Sequence, residues 1–306
     1  MVIEGLTIEQ ANFDQPLQWA SNISKAENLK VEQINLKNLT LAIRDLQLAS
    51  FDGKVTLTEA GALDSIELVS SNNALSVAIS PQGNASLIVL KATNWQLPFN
   101  QKIMFSALNA KGMASQSGID FNQIEGEVFG GNLTGQANIQ WPAGTSPWQS
   151  SGTFQLSNAN TEDILNSFDS AVAINGKLAM DAKFSGSARE ADKLGNNTIT
   201  DANFDIREGS IKGIQLTRGV LNPGKQSLAG NSTQFDKLSG SAKFNQNQYQ
   251  FGKLVLASSQ FNANGFININ ASQILTGKVN ADLATPSRHL KANFGITGRG
   301  ADLKSD

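Results

Sequence analysis

The chain contains no cysteine and only one histidine among its 306 residues. The lack of cysteine excludes both a disulfide framework and a catalytic thiol. The single histidine, His289, excludes a metal site built from several imidazoles, and any Ser-His-Asp triad would have to include it. His289 falls in the loop-like stretch Thr285–Leu290. We therefore predict that His289 is a surface residue with no catalytic role.

Charge is also scarce, because charged residues make up 16% of the chain, against roughly 25% in an average soluble domain. The 24 basic and 26 acidic residues give a net charge of −2. There is no Lys/Arg cluster and no phosphate-binding loop, so the sequence predicts no nucleic-acid partner. The acid pairs Glu125/Glu127 and Glu162/Asp163 have no aromatic platform beside them, and we interpret them as solvated. We expect no enzyme, no cofactor and no metal.

Long apolar runs are missing as well. No run approaches the roughly 20 residues that a membrane-spanning helix needs. The N-terminal residues Met1–Thr7 have the pattern of a β-strand and lack the charged-then-apolar layout of a signal peptide. We expect the chain to be a fragment of a longer protein that has lost its targeting segment.

The chain does have strict alternation of apolar and polar residues, with Asn, Ser, Gln, Thr and Gly at the polar positions. A period of two gives a strand one apolar and one wet face, which is typical of antiparallel sheets. We predict a mainly β fold, a long antiparallel meander curled into a groove or open barrel-like trough, with one or two short helices. The clearest apolar sets are Leu133/Gly135/Ala137/Ile139/Trp141, Leu178/Met180/Ala182/Phe184 and Phe261/Ala263/Gly265/Ile267/Ile269.

Local signals suggest where strands end and helices form. A capping residue followed by acids in the first turn predicts a helix over 160–168, and Pro16 favours a second helix over 15–24. The stretch Trp141–Ser151 is rich in Pro, Ser and Gly and is the best seam between a first β segment, 1–145, and a second, 146–306. Turn signals occur at Asp52-Gly53, Pro81–Asn84, Gly130–Asn132, Asn175-Gly176 (a hairpin or strand entry) and Asn264-Gly265 (a turn or bulge).

Phenylalanine outnumbers tyrosine by 16 to 1. Phenylalanine cannot form hydrogen bonds, so it suits contact with hydrocarbon or a dry core, whereas carbohydrate and nucleic-acid binders use Tyr and Trp for stacking. The odd or even position of a residue along a strand, its parity, shows which residues share a face. It leaves open whether that face is a packed core or lines a groove for lipid. The predicted groove residues are Leu133, Ile139, Met180, Phe184, Phe204, Phe244, Phe251, Phe261, Ile267 and Ile269.

The second half of the chain contains a recognisable succession of motifs. Residues 204–216, FDIREGSIKGIQL, are followed by residues 233–241, TQFDKLSGS, and then by Gly265–Ile269 and Leu275–Val279. From about Ser151 to the end, this order resembles the C-terminal region of the AsmA family of Gram-negative envelope proteins. The earlier stretch Phe129–Gly135 is similar to the one that commonly precedes it.

The resemblance implies an inner-membrane-anchored protein whose bulk lies in the periplasm as a long β-groove related to bridge-like lipid transfer proteins. Its ligand would be phospholipid acyl chains, and its partners would be membrane proteins at the ends of the groove. Its role would be to support the integrity of the outer membrane. We expect the family's N-terminal membrane helix to belong to the full-length protein and not to these 306 residues. Two alternatives stay open, namely a scaffold that assists outer-membrane protein assembly and a structural, adhesin-like β protein, although we find no fixed internal repeat of the kind a solenoid has.

Overall fold

The fold is seen in a computed structural model of the chain. The structure describes residues 2–9, 32–97, 103–142, 144–168, 170, 172–222, 224, 226–300 and 302–305. The helix predicted over 15–24 lies outside the described residues.

The chain is mainly β, with 71% of the described residues in strands, and the strands form one large open sheet. The predicted mainly β antiparallel meander is therefore confirmed. The strands are β1 (Val2–Glu4), β2 (Thr7–Glu9), β3 (Gln33–Ile43), β4 (Leu46–Leu57), β5 (Leu63–Ser70), β6 (Leu75–Gln82), β7 (Ala85–Gln96), β8 (Met104–Ser115), β9 (Gly118–Val128), β10 (Gly131–Gln140), β11 (Trp148–Asn160), β12 (Ile174–Ala188), β13 (Thr198–Ile211), β14 (Gln226–Ser227), β15 (Thr233–Asn245), β16 (Gln248–Ala257), β17 (Phe261–Ile269), β18 (Leu275–Ala284), β19 (His289–Arg299) and β20 (Asp302–Ser305).

Helices are short in the described part of the chain. They are α1 (Thr161–Ser167) and α2 (Thr217–Leu221), and a 3₁₀ turn spans Ala191–Lys193. The prediction of a helix over 160–168 is confirmed, with Asn160 as its extended N-cap residue and Glu162 and Asp163 in its first turn. Neither helix has the length and apolar character that crossing a bilayer requires.

Most strands pair with their neighbours in sequence. Antiparallel ladders join β3 to β8 in order, and another series joins β15 to β20 in order. Four pairings differ from this pattern. The strands β1 and β2 run parallel to β3, β13 pairs with β15, and the short strand β14 pairs with the distant β20.

The chain forms two compact units. Unit 1 comprises residues 1–127, 134–152 and 186–195, and unit 2 comprises residues 128–133, 153–185 and 196–306. In unit 1 a core of Ile34, Leu39, Val55 and Trp148 is almost completely buried. In unit 2 the most deeply buried apolar side chains include Leu228, Leu303, Phe235 and Ile296.

The turn predictions are correct at the ends of strands and wrong inside strands, where the glycine allows a neighbouring strand to come close. The turns at Pro81–Asn84 and Gly130–Asn132 are confirmed, because β6 and β9 each end there and the next strand begins at once. Asn175-Gly176 lies in the first residues of β12, as expected of a strand entry. The turn predicted at Asp52-Gly53 is wrong, and so is the turn alternative for Asn264-Gly265, since both pairs lie inside strands, β4 and β17. The bulge alternative for Asn264-Gly265 is close, because the ladder shifts register next to Gly265.

The physical reason for both errors is close approach of a neighbouring strand. A Cβ on Gly53 would lie 2.6 Å from a methyl carbon of Leu68 on β5. A Cβ on Gly265 would lie 2.0 Å from the carbonyl oxygen of Lys278 on β18. Glycine inside a strand often marks such a contact rather than a turn. The bulge near Gly265 is on its partner strand β16, between Phe251 and Leu254.

Candidate functional site

The strongest candidate site is the apolar face of the sheet in unit 2. Along β17, buried or half-buried apolar residues alternate with exposed asparagines, and β12 and β13 show the same alternation. Several large side chains on this face are only half-buried. We call them the open patch, and its members are Phe154, Met180, Phe184, Phe204, Phe244, Tyr249, Phe251, Leu254, Ile267 and Ile269.

The open patch is organised around three small buried residues. Ala182, Ala202 and Ala242 lie on β12, β13 and β15 and form one cluster. The half-buried Phe154, Met180, Phe204, Phe244 and Phe251 pack against these alanines. The large side chains cover the alanines, which are only 4–6% exposed, and so form the partly exposed outer walls of the patch.

Aromatic contacts hold these walls in place. The ring of Phe251 meets Phe204 at 6.3 Å and Phe244 at 6.0 Å between centroids, both edge to face. Phe244 also meets Tyr249 edge to face at 5.6 Å. A tilted pair, with centroids 6.3 Å apart, joins Phe184 to Phe154. Edge-to-face pairs contribute about 0.5–1.5 kcal/mol each beyond area burial, so the patch keeps its shape while partly exposed.

A bulge in β16 enlarges the apolar face. The ladder between β16 and β17 pairs Phe251 with Ile267 and Leu254 with Gly265, which leaves two residues of β16 opposite one of β17. Lys253, in the bulge, has a left-handed backbone with φ of 50°. A bulge of this kind shifts the alternation by one residue. Phe251 and Leu254 therefore both contribute to the open patch.

The exposed part of the face ends at β18. Cross-strand pairing connects Phe251 on β16 to Ile267, then to Gly277 on β18 and Ile296 on β19. Phe251 and Ile267 are half-buried, whereas Ile296 is 3% exposed. This row therefore becomes buried at β19, and two further rows become buried one strand earlier, at β18. They are Tyr249–Ile269–Leu275 and Leu254–Gly265–Val279–Phe294.

A segment between β13 and β15 covers the face there. We call it the crossover, and it comprises the described residues 212–222 and 226–232, including α2 and β14. Its helix α2 packs on β18 and β19. Gly219 of α2 lies so close to the ring of Phe294 that a Cβ would be 2.6–2.9 Å from three ring carbons. Leu228 of the crossover is 0% exposed. The crossover is thus closely fitted to the sheet.

Hydrogen bonds fix the crossover at both of its ends. The buried Thr233 hydroxyl donates to the Ile214 carbonyl (2.7 Å) and accepts from the Leu216 amide (2.9 Å). The Leu228 amide donates to the Leu303 carbonyl on β20 at 2.7 Å, and β14 pairs with β20 through Gln226–Ser305 and Ser227–Lys304.

The structure brings together most of the predicted groove residues. Met180, Phe204, Phe244 and Phe251 are in one cluster, Phe184 joins through Phe154, and Ile267 and Ile269 pair with Phe251 and Tyr249. Three predicted residues lie elsewhere. Phe261 is 4% exposed and packs as a core residue, Ile139 packs against Trp141 and Trp148 in unit 1, and the half-buried Leu133 lies on β10 outside the cluster.

Sequence reasoning missed three members of the open patch. Phe154 lies two residues before the buried Leu156 in β11, and Tyr249 lies two residues before Phe251 in β16. Residues two apart share a face of a strand, so alternation would have found both. Leu254 has the opposite parity to Phe251, and only the bulge places it on the same face. No alternation rule would have identified Leu254.

The opposite face of these strands is mostly polar, apart from the exposed Ile199, Val255 and Phe266, and it carries charge pairs. Lys237 Nζ lies 2.6 Å from Asp205 Oδ2, and Arg207 Nε lies 3.0 Å from Asp205 Oδ1. The hydrogen bond from Lys237, followed by that from Arg207, holds the pKa of Asp205 below its usual range. Asn280 donates to Asn264 across β17 and β18 at 3.0 Å. This face is a solvated surface.

The titratable residues that the sequence offered for catalysis remain on the surface. His289 begins β19 with its side chain 62% exposed and pairs with Asp282. Glu125 and Glu127 are exposed on β9. Within the described ranges, no group of three or more His, Cys, Asp or Glu side chains could hold a metal ion.

Unit 1 has one notable polar junction. Asp45, between β3 and β4, accepts hydrogen bonds from Trp148 Nε1 (2.8 Å) and from the Ala191 amide (2.6 Å). Partial burial acts to raise the pKa of Asp45, but the bonds from Ala191 and Trp148 and the nearby Arg44 together outweigh it and lower that pKa. Arg44 also lies 5.6 Å from the centre of the Trp148 ring. This junction is structural.

No family model, curated protein or solved structure matches the chain.

Proposed function

We propose that this chain binds phospholipid acyl chains on the open patch of unit 2. The observation that carries the proposal is the half-buried state of ten large apolar side chains that share one face of the sheet. The cores of both units show that this sequence can bury apolar side chains almost completely. A contiguous exposed apolar surface of this kind marks a site for a ligand or partner.

The chemistry of the open patch suits hydrocarbon. Apart from the Tyr249 hydroxyl, its side chains offer no hydrogen-bonding group except the weakly accepting Met180 sulfur. The charged groups Asp205, Arg207 and Lys237 are on the other face. Acyl chains need no polar partner. Each methylene buried contributes about 0.8 kcal/mol, so roughly ten methylenes would contribute about 8 kcal/mol before the costs of association.

The motifs of residues 151–306 that resemble the AsmA family support a cellular setting for this activity. In that setting the chain is the periplasmic part of a protein anchored in the inner membrane, and it holds or conducts phospholipid in support of outer-membrane integrity. Its partners would be membrane proteins at the ends of the lipid-binding face.

The test is native mass spectrometry with lipid extraction, applied to the chain purified from a bacterial host and to two variants. Phe251→Asp puts a carboxylate in the centre of the open patch, where a bound acyl chain would have to desolvate it. Phe266→Asp makes the same change on the neighbouring strand β17 but on the wet face, where Phe266 is 45% exposed. We expect copurified phospholipid with the wild type and Phe266→Asp, and none with Phe251→Asp.

Circular dichroism of each variant establishes that the sheet is retained. A folded wild-type chain that carries no lipid and takes up no added phospholipid would sink the proposal and favour a scaffold that binds proteins. Equal lipid loads in the two variants would show that lipid binds elsewhere.

A further inference from the structure

We infer that the crossover is a fixed end-stop, so that acyl chains lie over β12–β17 and terminate at β18. The inference rests on the proposed lipid binding and specifies where the bound hydrocarbon stops. Its basis is the change in exposure along three neighbouring cross-strand rows. Two rows become buried at β18, at Leu275 and Val279, and the third becomes buried at β19, at Ile296. The crossover covers this end of the face, since Gly219 of α2 lies against the Phe294 ring.

The contacts of the crossover favour a stop over a gate. A gate must separate from the surface that it covers, and the surface must tolerate exposure. Here Leu228, Phe235 and Leu303 are all within the best-buried part of unit 2. Opening would expose Leu228 of the crossover and the Phe294 ring under α2, which are large apolar side chains whose burial stabilises the folded chain.

The polar contacts add to this cost. Thr233, whose hydroxyl makes two hydrogen bonds to the crossover backbone, is itself buried. Arg218 of α2 donates to Gln215 Oε1 at 3.1 Å and to the Ala229 carbonyl, which ties the helix to the strand that follows it. Gln226 Nε2 donates to the Arg218 carbonyl at 2.7 Å. These bonds tie α2 to Gln215, which precedes it, to β14 and to Ala229.

Photolabelling of the unmodified chain tests where bound tails stop. The probe is a phospholipid with a diazirine at the methyl end of one acyl chain, and labelled residues are mapped by mass spectrometry. We expect label on Phe251, Leu254 and Ile267 and none on Phe294 or Ile296. Label on Phe294 or Ile296 would overturn the end-stop. Absence of label everywhere would instead contradict the proposed lipid binding.

A disulfide lock distinguishes a stop from a gate. Ser227 and Lys304 are exposed and directly opposed in the antiparallel pair of β14 and β20, a spacing that suits a disulfide. Because the chain has no cysteine, Ser227→Cys with Lys304→Cys gives a single defined bridge. We expect the oxidised variant to take up as much of the same phospholipid, from vesicles, as the reduced variant. Uptake that falls on oxidation and recovers on reduction would show that the crossover must open, and would overturn the inference.

Discussion

Replacing Asp45 tests the polar junction of unit 1. Its carboxylate is the shared acceptor for Trp148 Nε1 and the Ala191 amide, and both of those residues are 1% exposed. Asp45→Ala leaves the two donors without an acceptor. A buried donor left unsatisfied costs about 1–3 kcal/mol, but Asp45 is itself exposed, so water can replace part of what is lost. We expect Asp45→Ala to lower the free energy of unfolding by about 2 kcal/mol.

The assay is urea denaturation followed by tryptophan fluorescence, with circular dichroism as a second probe. Asp45→Asn keeps one acceptor oxygen and should lose about half as much. The matched control is Asp52→Ala in the same unit, because Asp52 forms an exposed pair with Lys37 at 2.6 Å and its loss should change the midpoint little. An Asp45→Ala midpoint no lower than that of Asp52→Ala would refute the reasoning.

The pH dependence of this difference has a definite sign. The pKa of Asp45 is lowered in the folded chain, so the unfolded chain binds a proton at Asp45 more readily. The stabilisation is therefore fully present above the unfolded value of about 3.9 and is lost as the pH falls through the folded value. The difference in unfolding free energy between the wild type and Asp45→Asn should be constant near neutral pH and shrink below about pH 4.

Two further predictions concern the crossover. Thr233→Val removes the hydroxyl that bridges Ile214 and Leu216 and should lower the free energy of unfolding, measured by urea titration, by about 1–3 kcal/mol. Thr233→Ser keeps the hydroxyl and should retain most of that free energy. Equal losses in both variants would show that packing, and not the hydroxyl, is responsible. Gly219→Ala places a methyl group against the Phe294 ring and should destabilise by about 1–3 kcal/mol through overpacking, whereas a higher melting temperature would show that α2 can move away from the sheet.

The sequence was sufficient to predict most of the side chains that share the apolar face of unit 2, although not Leu254, which the bulge in β16 places there. Alternation is a local property of a strand, so the residue pattern alone assigns Phe204, Phe244 and Phe251 to the apolar sides of their strands. The same rule could not show that Phe261 is buried while Ile267, six residues further along the strand, is half-exposed. That difference depends on which segments cover each end of the sheet.

Two features could be identified only from the tertiary structure and not from the sequence. Asp52-Gly53 and Asn264-Gly265 are dipeptides typical of turns. Only the positions of Leu68 and Lys278 reveal that the two glycines instead allow close contact between strands. The crossover contains a helix of five residues, too short for a reliable periodic signal. Its position depends on contacts with β18, β19 and β20, which come much later in the chain.

The pairing of β14 with β20 has a consequence for the order of folding. Most strands pair with the strand just before them, so their ladders can form progressively as the chain emerges, with little loop entropy lost. Gln226 pairs with Ser305, about eighty residues later, so this ladder cannot form until Ser305 has been made. Until then the apolar side of the crossover has no surface to cover, and a nascent chain exposes it to chaperones and to aggregation.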